Sequence, residues 1–305
     1  MVCRVMTLNA GSVSDAIKHA LEQSTSLEDA SARLSEFGID LGKIPGLVDA
    51  LDRGAGLEWV GAGAAALGLP RDASGKDVAQ LLTTGQITDK DGVVQADIPA
   101  RSGGGKGAFG LIRSEDKTIS ALMCHSDPDI RRAGEQAHRD GNAAFIETLE
   151  SGLRSRAGTN GITSVGITGL VCASVEHNSS SAGDPTKHTH FLISRMAQCK
   201  DGKWRAIDGN TLFGLMAAAE SAAQAAIAKS LSASLDTPIG WNEVGSSRMV
   251  EIPALRESVV PLCDAKRRVD TVLNDMGRLF GPAWKEQRDA WRQYRASAGA
   301  IAEQV

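Results

Sequence analysis

What this 305-residue chain lacks narrows its class before any motif is weighed. With Lys+Arg at 33 and Asp+Glu at 37, the formal net charge is -4, so no global basic excess announces a nucleic-acid partner, and only a local basic face could serve one. No apolar run approaches the ~20 residues a bilayer-spanning helix needs, and the opening MVCRVMTLNAGSVSD has no uninterrupted apolar core of the kind a secretion signal carries. A cytoplasmic protein is expected. There is no CxxC pair: Cys3, Cys124, Cys172, Cys199 and Cys263 are odd in number and widely spaced, which suits reduced thiols used for packing rather than a disulfide framework. A triphosphate loop is missing too, because SGGGKG around Lys106 breaks the required formula at Ala100 and again at Gly107. Gly61, Gly63 and Ala66 satisfy a GxGxxA dinucleotide pattern, yet no convincing strand is read before them, Pro70 cuts the following helix short, and no acidic residue stands about twenty positions on. No internal repeat is visible.

What remains is an ordinary globule, 42% hydrophobic and able to bury a substantial core. MVCRVMTL alternates like a strand, and helices are predicted from Ser12 to Gln23, Leu27 to Phe37 and Val78 to Thr83. The glycine-rich ARSGGGKGAFG reads as a loop. Pro128 to Ser155 reads as one long amphipathic helix, Ile167 to His177 as a strand, and His188 to Cys199 as its antiparallel neighbour. Asp201-Gly202 is a strong hairpin signal leading into a third strand, KWRAID. TLFGLMAAAESAAQAAIAKSLSASL has high helix propensity, and another helix is expected at Val259 to Met276. The fold class is therefore α+β, an antiparallel sheet flanked by helices. The last residues, WRQYRASAGAIAEQV, end inside a helical pattern without a capping glycine or proline, which suggests a fragment of something longer.

Three of the six histidines fall within HNSSSAGDPTKHTH, His177 to His190. Strand side chains alternate faces, so His188 and His190 point one way with Thr189 opposed, and His177 ends the neighbouring strand across a polar loop turned by Asp184-Pro185. All three imidazoles can converge. A single such histidine is more often an unliganded surface residue, but two at strand spacing with a third able to meet them favour a metal. Three neutral imidazoles leave coordination positions open for water or substrate oxygen, and ligand softness suggests zinc, manganese, nickel or cobalt before magnesium. A hydrolase acting through metal-bound water is one chemistry such a site allows.

The block HNSSSAGDPTKHTHFLISRMAQCKDGKWRAIDGNTLFG resembles the signature of MobF-type conjugative relaxases, the TrwC relaxase domain family. Outside it, EWVGAGAAALGL, KGAFGLIRSEDKTISAL and MVEIPALRESVVPLCDAKRRVD are similar to further family elements, so residues 1–275 are covered, with 276–305 as a helical extension that carries Trp284, Trp291 and Tyr294. The resemblance implies an HUH-type nuclease fold, with the triad His177, His188 and His190 on its sheet, acting on single-stranded DNA at a transfer origin. It implies covalent chemistry: a tyrosine near the amino terminus joins the 5′ phosphate and releases a 3′ hydroxyl, while magnesium or manganese held by the histidines polarises the scissile phosphate. A conjugation coupling protein and accessory DNA-binding proteins are the further partners it suggests.

The chain departs from this pattern in two places. Its single tyrosine is Tyr294, and alignment of the opening strand and helix puts Lys18 and His19 where the first tyrosine pair would fall, making His19 the candidate nucleophile, since histidine can form a phosphoramidate. Gly110 occupies the place of a family aspartate that would orient the nucleophile or a histidine ligand. A relaxase-derived protein that binds single strands without cutting them, and an unrelated three-histidine hydrolase, are the alternative readings. Lys187, Lys203, Trp204 and Arg205 are the candidate DNA contacts because they flank the triad or lie on adjacent strands, with Arg195 alternating away from His190's face.

Overall fold

The computed structural model describes residues 3–8, 57–89, 91–98, 107–123, 125, 127–179, 185–245 and 247–260. In chain order the elements are β1 (Cys3–Leu8), β2 (Leu57–Val60), α1 (Ala62–Ala66), β3 (Asp72–Ala73), α2 (Gly75–Thr84), β4 (Gln86–Thr88), β5 (Val94–Asp97) and β6 (Ala108–Ser114). There follow α3 (Lys117–Leu122), α4 (Pro128–Gly152), β7 (Arg154–Ala157), β8 (Thr163–Gly169), β9 (Cys172–Ser179) and β10 (Pro185–Ser194). The last described elements are β11 (Met196–Cys199), β12 (Trp204–Ala206), α5 (Gly209–Ser234), β13 (Gly240–Val244), β14 (Ser247–Glu251) and α6 (Pro253–Val259).

A six-stranded sheet ordered β1-β6-β10-β9-β2-β3 is antiparallel at every pairing and carries the histidines on its central strands. Residues directly paired across strands share a face. His188 pairs with His177 and with Ser114, and His190 pairs with Val175 and with Ile112, so one face holds the triad together with Val175, Ala173, Leu192, Leu57 and Trp59. The apolar members of that face form one core with Ala64 of α1 and Val78, Leu81 and Leu82 of α2. The other face presents Phe109, Leu111, Phe191 and Ile193 to Phe145, Ile146 and Leu149 of α4 and to Leu212, Ala219 and Ala223 of α5. The sheet is thus sandwiched between helices, as the α+β reading requires, and the triad sits at the polar end of an otherwise apolar face.

The chain bends where continuous strands are expected. The expected strand Ile167 to His177 is two strands of different sheets, β8 in a four-stranded sheet and β9 in the six-stranded one, with an elbow at Leu170-Val171. Glu150 of α4 fixes that elbow: its Oε1 accepts from Leu170 N at 2.8 Å and from Ala62 N at 2.7 Å. Likewise the expected strand His188 to Cys199 breaks at Arg195, where the chain leaves β10 for β11 of the four-stranded sheet. The long helix stops at Gly152 rather than Ser155, because Leu153 turns extended and Arg154–Ala157 pairs with β8. The glycine-rich loop ends three residues sooner than expected, since Ala108, Phe109 and Gly110 are already paired on both sides of β6.

Two further expectations are corrected. A strand, β2, does precede Gly61, but the glycines serve packing: a Cβ at Gly61 would lie 2.5 Å, and one at Gly63 2.7 Å, from the Leu170 carbonyl oxygen. Only backbone fits against that elbow. The second concerns α5, which is long and apolar enough by length and composition to cross a membrane. In this fold it packs along α4 with one side buried, and carries Glu220 and Gln224 on that side, where Gln224 Oε1 accepts from Val250 N at 2.7 Å. The helices predicted over Ser12 to Gln23 and Leu27 to Phe37, and most of that from Val259 to Met276, lie outside the described residues.

Candidate metal centre

The three imidazoles meet. Ring centroids of His177, His188 and His190 are 4.8 to 5.1 Å apart, and one nitrogen from each lies within 4.8 Å of the others. His177 and His188 are buried and His190 half-buried. The convergence follows from register, because His188 stands directly opposite His177 while the pleat returns His190 to the same side.

The tautomer of His188 is set by its surroundings. Its Nδ1 donates to the Thr186 carbonyl oxygen at 2.9 Å, which leaves the Nε2 lone pair facing the cluster, 3.1 Å from His177 Nδ1. Burial pushes the His188 pKa down, the Thr186 carbonyl opposes that, and nearby positive charge on Lys187 and Lys117 adds to the lowering, so the ring is held in the neutral form a ligand needs. The 3.1 Å between His177 Nδ1 and His188 Nε2 suits two ligands of one cation, since ligands about 2.1 Å from one ion stand roughly 3.0 Å apart at a right angle and roughly 3.4 Å apart at the tetrahedral angle. The donor set can hold a divalent metal, and nitrogen ligands suit a transition-type ion better than magnesium.

Beneath the triad, on the opposite face, lies a buried polar network absent from the sequence-based reading. His138 of α4 donates from Nδ1 to Glu115 Oε1 at 2.6 Å, so its Nε2 accepts from the Thr189 hydroxyl at 2.8 Å. Asn142, one turn on, donates to Thr189 Oγ1 at 2.9 Å and accepts on Oδ1 from Arg113 Nη1 at 2.9 Å. Arg113 in turn donates to Glu115 at 2.7 Å and faces Glu220 at 3.5 Å. Burial alone would raise the Glu115 pKa, but the Arg113 guanidinium and the His138 bond reverse it and hold the carboxyl at about 2. Burial lowers the His138 pKa despite Glu115, which keeps that imidazole neutral. The sequence did hold one signal: His138 and Asn142 continue the stripe of Gly134, Ala137, Gly141 and Phe145, the inward side of α4.

The candidate DNA contacts separate. Alternation turns Lys187 away from the triad, and it is buried with Nζ 2.6 Å from Glu176 Oε2 and 3.1 Å from Asn178 Oδ1. It is a strut of the fold. Lys203, Trp204 and Arg205 lie on the β11–β12 hairpin of the four-stranded sheet, where Lys203 is exposed, Trp204 packs on the core of the triad face, and Arg205 makes a two-pronged pair with Asp201 at 2.7 Å. Gly110 stands on the triad face, one same-face step from Ile112, the partner of His190. His19 and Tyr294 lie outside the described residues. An unforeseen exposed pair completes the picture: Arg248 lies over the ring of Trp241, 5.3 Å from its centroid, on the β13–β14 hairpin. Asn242 of that hairpin donates to Asp116 at 3.0 Å, two residues past Ser114, the partner of His188.

Residues 50–298 match the TrwC relaxase family. A 159-residue stretch is 28% identical to the Multifunctional conjugation protein TraI of Escherichia coli, a match that spans 51% of this chain but only 8% of that protein's length. In fold the chain resembles the conjugative relaxase TrwC in complex with oriT DNA, in a metal-free structure at a TM-score of 0.62 and 18% identity, covering 99% of this chain and 98% of that one. A metal-bound structure of the same relaxase with oriT DNA gives a TM-score of 0.62 and 20% identity at the same coverage. The family match extends over most of the chain, the triad included, and this protein belongs to the TrwC relaxase family.

Proposed function

We propose that this chain nicks and rejoins single-stranded DNA at a transfer origin, by metal-assisted transesterification with a nucleophile other than tyrosine. The observation that supports it above all is the convergence of three imidazole nitrogens within 4.8 Å on one face of the sheet. A divalent cation held by His177, His188 and His190 would supply polarisation of the scissile phosphate. His19 is the proposed nucleophile. Its ring nitrogen would form a bond to phosphorus as the bond to the 3′ oxygen breaks, the 5′ phosphate staying on the protein as a phosphoramidate and the displaced proton passing to the 3′ oxygen. Such a bond retains the energy needed for rejoining. Single-strand contacts are assigned to Lys203, Trp204 and Arg205, with the exposed Trp241 and Arg248 as a stacking platform of the kind bases accept without sequence preference. We place the protein in the cytoplasm, with a conjugation coupling protein and accessory DNA-binding proteins as partners, and divide it into a relaxase domain at 1–275 and a helical extension at 276–305.

The absence of any tyrosine before Tyr294, together with Gly110 in place of a carboxylate, supports a second reading, a protein that binds origin DNA without cutting it. Incubation with manganese and labelled single-stranded origin DNA separates the two. A denaturation-resistant adduct that disappears in His19→Ala supports transesterification; nicks without an adduct indicate hydrolysis; retarded but intact DNA establishes binding alone.

A further inference from the structure

Two of the strand residues that flank the histidines, Thr189 and Glu176, project to the far face of the sheet and meet His138 and Asn142 of α4 there. Thr189, between His188 and His190, is bonded through its hydroxyl to His138 Nε2 at 2.8 Å and to Asn142 Nδ2 at 2.9 Å. Glu176, immediately before His177, lies 3.5 Å from Asn142 Nδ2 and receives Lys187 Nζ at 2.6 Å, Lys187 being the residue immediately before His188. His138 and Asn142 are themselves held, His138 by Glu115 at 2.6 Å and Asn142 by Arg113 at 2.9 Å, with His138, Arg113 and Thr189 fully buried. A pleated strand transmits this anchoring directly, because fixing Thr189 on one face fixes the backbone angles that aim His188 and His190 from the other.

Such an arrangement matters more here than in a site with a carboxylate beside its ligands. Gly110 provides no side chain on the triad face, and His188 is oriented there by a backbone carbonyl, that of Thr186. The aim of His188 therefore follows the backbone of β10, which the network below grips at the next residue, Thr189.

We propose that Asn142 and His138, acting through Thr189, are positioning residues for the histidine metal centre: they clamp the two ligand-bearing strands from beneath so that the ring nitrogens converge. The inference rests on the metal reading of the triad, and calorimetry tests both separately. Manganese is titrated into the full chain and into Thr189→Val, which keeps the side-chain shape and loses the hydroxyl, Thr189→Ser, which restores it, and Asn142→Leu, with the metal-free melting temperature measured for each. Ile193→Val, four residues along the same face of β10 in the apolar core, controls for loosened packing. Thr189→Val and Asn142→Leu are expected to weaken manganese binding by about tenfold to a hundredfold, the range for partners that orient metal ligands. Thr189→Ser should return to the wild-type dissociation constant, and Ile193→Val should lower the melting temperature without moving it. Wild-type binding with Thr189→Val and Asn142→Leu no weaker than Ile193→Val overturns the clamp and leaves the metal reading intact. No uptake by the wild type overturns both.

Discussion

His177 Nδ1 and His188 Nε2 face each other at 3.1 Å across a directly paired rung of β9 and β10. At that spacing either His177 Nδ1–H donates to the His188 Nε2 lone pair, or both lone pairs can share a cation that takes the proton's place; a cation that binds only the folded chain stabilises it. Manganese at a hundred times its dissociation constant should add about 2.7 kcal/mol to unfolding and raise the melting temperature, reversibly with a chelator. The same titration of His188→Ala should leave the melting temperature unmoved. A rise of equal size in that variant would place the metal elsewhere.

The acid stability of the protein should be governed by Glu115. Its pKa is held at about 2 in the folded state against an ordinary 4.5, so its contribution is fully present above pH 4.5 and is lost as pH falls from there toward 2, where the unfolded chain binds the proton more tightly. His138 acts in the same direction, since burial lowers its pKa and an unfolded histidine would take up a proton first. Urea unfolding between pH 2 and 7 should show midpoints that begin to fall below pH 6.5, through His138, and fall further below pH 4.5, through Glu115. Glu115→Gln should flatten that limb and destabilise at neutral pH by less than the roughly 3–5 kcal/mol of a fully uncompensated charge, because Arg113 loses its 2.7 Å ion pair but keeps the Glu220 carboxylate at 3.5 Å.

Which parts of this were legible in the sequence depends on how local their causes are. The triad could be read because strand alternation and an antiparallel return are enough to bring His177, His188 and His190 together, and the Asp201-Gly202 turn because Gly202 takes a positive φ of 80° between β11 and β12. The same alternation, applied one residue earlier, puts Lys187 on the face opposite the triad, where it is buried against Glu176. The strand breaks were not legible. Leu170 and Val171 are as apolar as the strands they separate, and their elbow is made by Glu150 and by the glycines at 61 and 63, distant in the chain. The buried network was hidden for a similar reason, since Arg113, Glu115 and His138 look like surface residues until Thr189 and Glu176 are known to lie above them.

The elbow yields its own prediction. Gly63→Ala would drive a Cβ to within 2.7 Å of the Leu170 carbonyl oxygen, with backbone on both sides and no flexible side chain to yield. Overpacking of this kind costs roughly 1–3 kcal/mol. Gly68→Ala, where nothing lies within 4 Å but φ is +70°, separates crowding from backbone conformation. Denaturant midpoints should show Gly63→Ala as the more damaging of the two; the reverse order would mean that the close approach of α1 to the elbow is not a constraint.

Arg205 and Lys203 allow the proposed DNA face to be tested without disturbing the triad. Both lie on the β11–β12 hairpin, and Arg205 is paired with Asp201 through two bonds of 2.7 Å, a contact that phosphate could exchange for its own. The Asp201 carboxylate, held at about 2 chiefly by Arg205, stays charged at any pH used for binding, so the exchange would be purely ionic. If each cation neutralises one phosphate of a single strand, replacing it by alanine should reduce the slope of log affinity against log salt by about 0.7. The double variant should lose about twice that, while manganese binding remains as in the wild type because neither residue contacts a histidine. An unchanged slope in both single variants would remove this hairpin from the interface and direct attention to Trp241 and Arg248, where loss of Trp241 should be one of stacking, nearly independent of salt, and loss of Arg248 should carry an ionic part.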